Sequence, residues 1–213
     1  MNKAAHLAIP SLLAVTLLAG CSSADSDATS APSTASQRGE ATDPGVRSYH
    51  AKVNETVSTV DEASEHVTVL GTVQSESHGT PSGEIDSFMT IRSITVAVDE
   101  VLNGSLTDKT VTVENGMYEW GDAGDTDVAN ARKYTEPGQP WLKPGESAVL
   151  VLKKVSADSG IKVVDYHSFG EAGTFRVTNG KLAATPRTDE LLSAPGLPHE
   201  LVGDTPDQVE QKL

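Results

Sequence analysis

The sequence is poor in cysteine, in aromatic residues and in positive charge. Its 213 residues include one Cys, two Trp, four Tyr and three Phe, and 16 Lys and Arg residues stand against 30 Asp and Glu residues. The single cysteine has no second cysteine with which to form a disulfide. A net charge of −14 disfavours nucleic acids and anionic lipid surfaces as partners, because both attract positive charge.

The common catalytic motifs are also missing. The sequence contains no Gly-x-Ser-x-Gly elbow, no phosphate-binding Gly-rich loop and no His-Glu-x-x-His zinc motif. Asp165 and His167 lie two residues apart on a predicted strand, so they share a face and form a candidate acid–base pair. A pairing without catalysis is the alternative that we favour. We therefore predict no catalytic residue, no cofactor site and no metal ligand.

The first twenty residues, MNKAAHLAIPSLLAVTLLAG, have the layout of a secretory signal peptide. Lys3 provides a short positive start, and the apolar stretch from Leu7 to Ala19 is too short to span a bilayer. Small residues follow this stretch, as they do at a cleavage site. Removal of residues 1–20 takes away Lys3 and no acidic residue, which leaves a mature charge of −15.

The signal ends in Leu18-Ala19-Gly20-Cys21, which resembles the lipobox of bacterial lipoproteins. The resemblance implies a diacylglyceryl thioether on Cys21, cleavage before Cys21 and acylation, for example with palmitate, of the new amino terminus. Two or three acyl chains would make a stable anchor. The expected location is the extracytoplasmic side of the cell membrane, with the membrane as a partner through Cys21. An ordinary cleaved signal with an incidental cysteine is the alternative.

Two further regions follow Cys21. Residues 22–45 lack large aliphatic and aromatic side chains, so with Cys21 they predict a lipidated, disordered tether over 21–45. About 24 residues of flexible coil reach roughly 25–30 Å. Residues 46–213 have the length of one globular domain. Because this domain lacks cysteine, thiol catalysis and cysteine-ligated metals are excluded there.

Alternating β-branched residues predict a β-rich domain with short peripheral helices. The expected strands are 66–73, 88–102, 110–113, 147–155 and 161–167, with a hairpin around Asn179-Gly180. The unbroken apolar run SAVLVL indicates a central strand, and Gly71 indicates a bulge. Capping-box sequences at Thr59 and Thr205 predict a short helix and a C-terminal helix, and 191–203 is expected to be irregular.

These features predict an antiparallel, closed or partly closed OB-like barrel of five to seven strands. The order VTVLGTV, VAVDEVLNGSL, WLKPGESAVLVL and GTFRVTNGKL resembles uncharacterised bacterial secreted lipoproteins. It is similar, more distantly, to the barrel of netrin-type and metalloproteinase-inhibitor domains. The chain lacks the disulfides and the amino-terminal cysteine of those inhibitors, so protease inhibition is not implied.

Residues 116–141 concentrate both tryptophans and two tyrosines between two predicted strands. This length exceeds an ordinary connection, and long loops are often functional. The candidate ligand or partner surface comprises Tyr118, Trp120, Asp122, Asp125, Asp127, Tyr134 and Trp141. The rings could form a recognition surface or plug one end of the barrel, and the three aspartates could hold Ca²⁺, although they lack the EF-hand pattern.

The expected function is therefore a non-catalytic binding or interaction module of the cell envelope. Its partner would be an envelope protein or a small ligand. An envelope hydrolase that uses Asp165 with another carboxylate or histidine is the first alternative. A calcium-stabilised structural protein is the second.

Overall fold

The computed structural model describes residues 43, 45–48, 57–84, 87–122, 124–136, 138–156, 164–183 and 196–213. All of them belong to one structural unit, 37–213. The predicted signal peptide, Cys21 and the tether up to residue 42 lie outside the described residues. Asp43, the first described residue, is buried and lies three residues before the predicted boundary at Val46.

Strands dominate the described residues, and the helices are short. The strands are β1 (Val46–Ser48), β2 (Val67–His78), β3 (Ser82–Glu84), β4 (Ser87–Asn103), β5 (Thr110–Trp120), β6 (Arg132–Thr135), β7 (Ser147–Lys154), β8 (Tyr166–Ser168), β9 (Thr174–Thr178) and β10 (Lys181–Leu182). The helices are α1 (Val60–Ser64), α2 (Gly170–Gly173), α3 (Leu197–Leu201) and α4 (Pro206–Lys212). No helix in the described part of the chain is long and apolar enough to cross a membrane.

Five strands close into a barrel in the order β2, β4, β5, β8 and β7, with β7 pairing again with β2. The pairs are antiparallel except β5 with β8, which is parallel. Strand directions cannot alternate around a ring with an odd number of members, so one parallel pair is unavoidable. The predicted mainly β barrel is confirmed, but the sheet is mixed and not purely antiparallel.

The ring of five strands lies within the expected five to seven, and the other described strands extend the sheet beyond it. Strands β6 and β1 continue the sheet from β5, and the β1–β6 pair is parallel. Strand β3 pairs with β4, while β9 and β10 continue the sheet from β7. Several of these strands have only two to four residues, too few for a clear alternating pattern in the sequence.

Apolar residues of β7 explain why its sequence does not alternate. Leu150 and Leu152 belong to the cluster inside the barrel, together with residues such as Val69 and Ile94. Val149 and Val151 belong to a second cluster, between the outer face of the barrel and the helices. The strand is buried on both faces, which confirms the predicted central position of SAVLVL.

Most of the local predictions are confirmed. The β2–β4 register shifts between Leu70 and Gly71, and a Cβ atom at Gly71 would lie 2.5 Å from the carbonyl oxygen of Ala97. Asn179 and Gly180 turn the β9–β10 hairpin with φ angles of 54° and 75°. The hydroxyl groups of Thr59 and Thr205 cap α1 and α4, as shown by hydrogen bonds from the backbone N–H groups of Glu62 and Gln208.

The expectation of irregular structure over 191–203 is wrong for its described end. Residues Leu197–Leu201 form helix α3, with Pro198 in the first turn, where its missing N–H costs no hydrogen bond. Leu197 and Leu201 are four residues apart and both are buried. This spacing places them on one face of the helix, against the outer cluster.

Candidate functional site

The segment 116–141 is less of a loop than the sequence suggested. Its first five residues, 116–120, complete β5, and 132–135 form β6. The strands pair with each other at Tyr118 with Lys133. Gly116, with a φ of 91°, obscured the strand in the sequence because glycine weakens a strand pattern.

Three of the predicted recognition rings are buried. Tyr118, Trp120 and Trp141 are exposed by only 1%, 1% and 2%, and with Val46 they form the aromatic cluster. The Tyr118 ring lies 5.6 Å from the Trp120 ring and 5.4 Å from the Trp141 ring, which are usual distances for packed aromatic pairs. The indole N–H of Trp120 donates to the carbonyl of Asp127 at 3.0 Å. These rings form a small core and offer no free surface to a partner.

Arg92, which the sequence did not single out, lies beneath this aromatic cluster. Its guanidinium is fully buried and 4.0 Å from the centre of the Trp141 ring. It donates to Glu76 at 2.5 and 2.9 Å, and to the side-chain and backbone oxygens of Asn115 at 2.6 and 2.9 Å. A further donor bonds to the carbonyl of Leu142. Arg92 thus joins β2, β4, β5 and the segment before β7.

Asn115 extends this buried network. Its side-chain oxygen also accepts from the backbone N–H of Leu142 at 2.9 Å, and its amide donates to the carbonyl of Pro140 at 3.0 Å. Burial and the neighbouring Glu76 carboxylate raise the pKa of the Tyr118 phenol. The network is structural, because its groups satisfy each other inside the protein.

Tyr134 differs from the other candidate rings. It pairs with Met117, the neighbour of Tyr118, so it lies on the opposite face of the sheet. Its half-buried phenol donates to Glu119 at 2.7 Å. This hydrogen bond, with others from Ser87 and Arg132, holds the pKa of Glu119 below its ordinary value. The structure therefore separates Tyr134 from the aromatic cluster.

The acidic turn comprises Asp122, Asp125 and Asp127, which lie close together in the chain. Their carboxylate oxygens point at backbone N–H groups. Each accepts a hydrogen bond from the N–H group two residues further on, at 2.8 to 2.9 Å. Asp125 also accepts from the Asn130 amide at 3.0 Å. Such hydrogen bonds are typical of aspartates that stabilise turns. Among the described residues, no group of three or more His, Cys, Asp or Glu side chains is arranged to hold a metal.

Asp165 and His167 do not form the candidate acid–base pair with each other. Asp165 accepts from the backbone N–H of Thr112 at 3.3 Å. The His167 ring lies 2.7 Å from Glu114, and this hydrogen bond raises the pKa of His167 despite partial burial and the nearby Lys153. The carboxylate that pairs with His167 comes from β5, 53 positions away, and no local spacing indicated it.

Asp43 ties the start of the folded part to the barrel. Its carboxylate accepts from the backbone N–H of Trp141 at 3.0 Å and from Arg176 at 3.2 and 3.3 Å. Arg176 also donates to Glu146 and to the carbonyl of Trp141, at 3.2 and 3.0 Å. Asp43 therefore lies at the end of the barrel where β7 begins.

The other end of the barrel carries a surface recess of about 400 Å³. It lies where β2 begins and β7 ends, beside the β4–β5 connection. The residues that line it are Glu65, His66, Val67, Ser105, Leu106, Thr107, Asp108, Leu152, Lys153, Lys154 and Tyr166. Its volume falls within the range usual for small-molecule sites. No local pattern in the sequence indicates the recess, because its lining comes from four separate segments.

No protein-family model, no curated protein and no solved structure matches the chain significantly.

Proposed function

We propose that the protein is a lipid-anchored, extracytoplasmic lipoprotein whose barrel acts as a non-catalytic binding module of the cell envelope. The observation that carries the proposal is Leu18-Ala19-Gly20-Cys21, placed where the apolar segment of a signal peptide ends. A lone cysteine at that position can serve as an acylation site. It cannot stabilise the fold of an exported protein through a disulfide, because the chain has no second cysteine. The polar segment after Cys21 then serves as a tether.

The fold supports a binding role through its topology. We assign the barrel to an OB-like type because of the order of its strands, β2, β4, β5, β8, β7. In this ring the last strand in the chain, β8, lies between the third, β5, and the fourth, β7. OB-like barrels bind varied ligands on their surfaces, and fold alone does not specify which. A binding module that is tethered by about 24 residues of coil would sample a shell of roughly 25–30 Å above the membrane.

The candidate catalytic residues support a non-catalytic role over the hydrolase alternative. Asp165 accepts a hydrogen bond from the backbone of β5, and His167 is hydrogen-bonded to Glu114. The two side chains are therefore not placed to act on the same substrate atom. The acidic turn likewise favours a binding module over a calcium-stabilised protein. Its aspartates already accept backbone hydrogen bonds that order the turn.

Substitution of Cys21 tests the anchor. Cells that produce the Cys21→Ala variant should accumulate unprocessed precursor or release the protein into the medium. The matched control is Ser22→Ala, the adjacent position, which should be processed and retained in the membrane fraction like the wild type. Immunoblots of membrane, soluble and medium fractions provide the measurement. Unchanged processing and membrane retention of the Cys21→Ala variant would refute the proposal.

A further inference from the structure

We infer that the recess at the end of the barrel binds a small zwitterion with an apolar side group, such as an amino acid or a short peptide. The inference rests on the proposed binding function and identifies its site and its class of ligand. It depends on three properties of the recess, namely an apolar floor, a rim of balanced charge and a position away from the tether.

The floor of the recess is continuous with the barrel core. Val67, Leu106, Leu152 and Tyr166 line it and all belong to, or pack against, the cluster inside the barrel. Tyr166 is 8% exposed, and burial raises the pKa of its phenol, with Asp108 and Asp165 adding to the effect. An apolar side group placed here would be removed from water, which is favourable in proportion to the area that it buries.

The rim carries both signs of charge in equal number. Lys153 and Lys154 come from the end of β7, while Glu65 and Asp108 come from the end of α1 and the β4–β5 connection. A ligand with one carboxylate and one ammonium group can pair with Lys154 and with Glu65 or Asp108. Since the chain carries a net charge of −14, a purely anionic ligand would be repelled over a longer range, whereas a zwitterion has no net charge to be repelled.

The position of the recess suits a tethered protein. Strand β7 begins one residue after Glu146 and ends at Lys154 on the rim. Arg176 donates hydrogen bonds to both Glu146 and Asp43, so Asp43 lies near the start of β7. The eight residues of β7 extend over roughly 25 Å. Asp43, the first described residue, and the recess therefore lie at opposite ends of the strand.

Titration of the full mature protein in detergent with the dipeptide Leu-Leu tests the inference. Isothermal calorimetry and the NMR signals of the His66 ring report binding, because His66 lines the recess. We expect saturable binding of Leu-Leu and little binding of its N-acetylated or C-amidated forms, each of which lacks one charge. Equal binding of the blocked and free dipeptides, or no saturable binding, would overturn the inference.

Three variants locate the site. Lys154→Glu should weaken Leu-Leu binding about tenfold or more, since it replaces a cationic partner of the ligand carboxylate with a charge that repels it. Thr107→Trp should abolish binding by filling the recess. Lys181→Glu, an equal change of charge at the exposed position of β10, is the control and should bind like the wild type. Unchanged affinity in both recess variants would contradict the inference, while the Cys21→Ala fractionation reports on the anchor independently.

Discussion

Replacing Arg92 with methionine should destabilise the domain more than any change of a surface arginine. Methionine keeps part of the side-chain length and the contact with the Trp141 ring but removes the charge and all five N–H donors. Arg92 is fully buried, whereas its partner Glu76 is 35% exposed. After the substitution, Glu76 can still be solvated by water. The carbonyl groups of Asn115 and Leu142 lose the hydrogen bonds that Arg92 donates to them.

The size of the effect follows from these contacts. Removing one partner of a buried ion pair typically costs about 3–5 kcal/mol. A buried acceptor that loses its hydrogen bond costs about 1–3 kcal/mol, and the contact of the cation with Trp141 adds about 0.5–2 kcal/mol. Because Glu76 can become solvated, we expect the lower part of the first range, about 3–4 kcal/mol. For a domain of this length, that corresponds to a fall in Tm of roughly 6–16 °C.

Urea unfolding followed by far-ultraviolet circular dichroism measures the effect without depending on Trp141 fluorescence. Arg132→Met is the matched control, since Arg132 is 56% exposed and lies 3.4 Å from Glu119. The control should lose at most about 1 kcal/mol, as exposed ion pairs do. If Arg92→Met and Arg132→Met changed the free energy of unfolding equally, the structural role given to the buried guanidinium would be refuted.

Three further predictions concern the turn, the bulge and the histidine. The acidic turn is ordered by its own hydrogen bonds, so the Tm of the protein should be the same in excess Ca²⁺ and in chelator. A higher Tm in Ca²⁺ would contradict this prediction. Gly71→Ala should lower the free energy of unfolding in urea by about 1–3 kcal/mol, because the added Cβ atom would clash with backbone. Gly121→Ala is the control and should cost far less, since no atom lies within 4 Å of a Cβ at that position. Equal losses in the two variants would count against the bulge assignment. Glu114 raises the pKa of His167, so protonated His167 stabilises the fold below the unfolded pKa, and this contribution disappears as pH rises through the folded pKa. Glu114→Gln should therefore lower Tm more at about pH 5.5 than at about pH 8.5, and an equal loss at both would refute the linkage.

Local signals in the sequence predicted local structure well. The Asn179-Gly180 turn, the Thr59 and Thr205 caps and the Gly71 bulge each depend on a few neighbouring residues, and each is present. The closure of the barrel was harder to specify, because β8 has three residues and pairs with strands far away in sequence. The parallel β5–β8 pair follows from the odd number of strands, which no single segment reveals.

The candidate site was predicted in composition but not in arrangement. The concentration of rings at 116–141 was visible, but their burial depends on Val46 and on Arg92, which lie far away in the sequence. Arg92 is the one charged residue among residues 87–98 of β4, and this was the one available signal of a buried charge. The recess left no signal, since its floor and rim come from segments that are adjacent only in the folded chain.

The intact mass of the mature protein, extracted from the membrane fraction in detergent, tests the central claim most directly. The account predicts a chain that begins at Cys21 and carries the added mass of a diacylglyceryl group, with or without a further acyl chain. Mild base should remove the mass of the two ester-linked acyl chains from the amino-terminal peptide and leave the thioether-linked glyceryl group, with any amide-linked acyl chain, on Cys21. A mature chain that begins elsewhere, or an amino-terminal peptide with unmodified Cys21, would contradict the account.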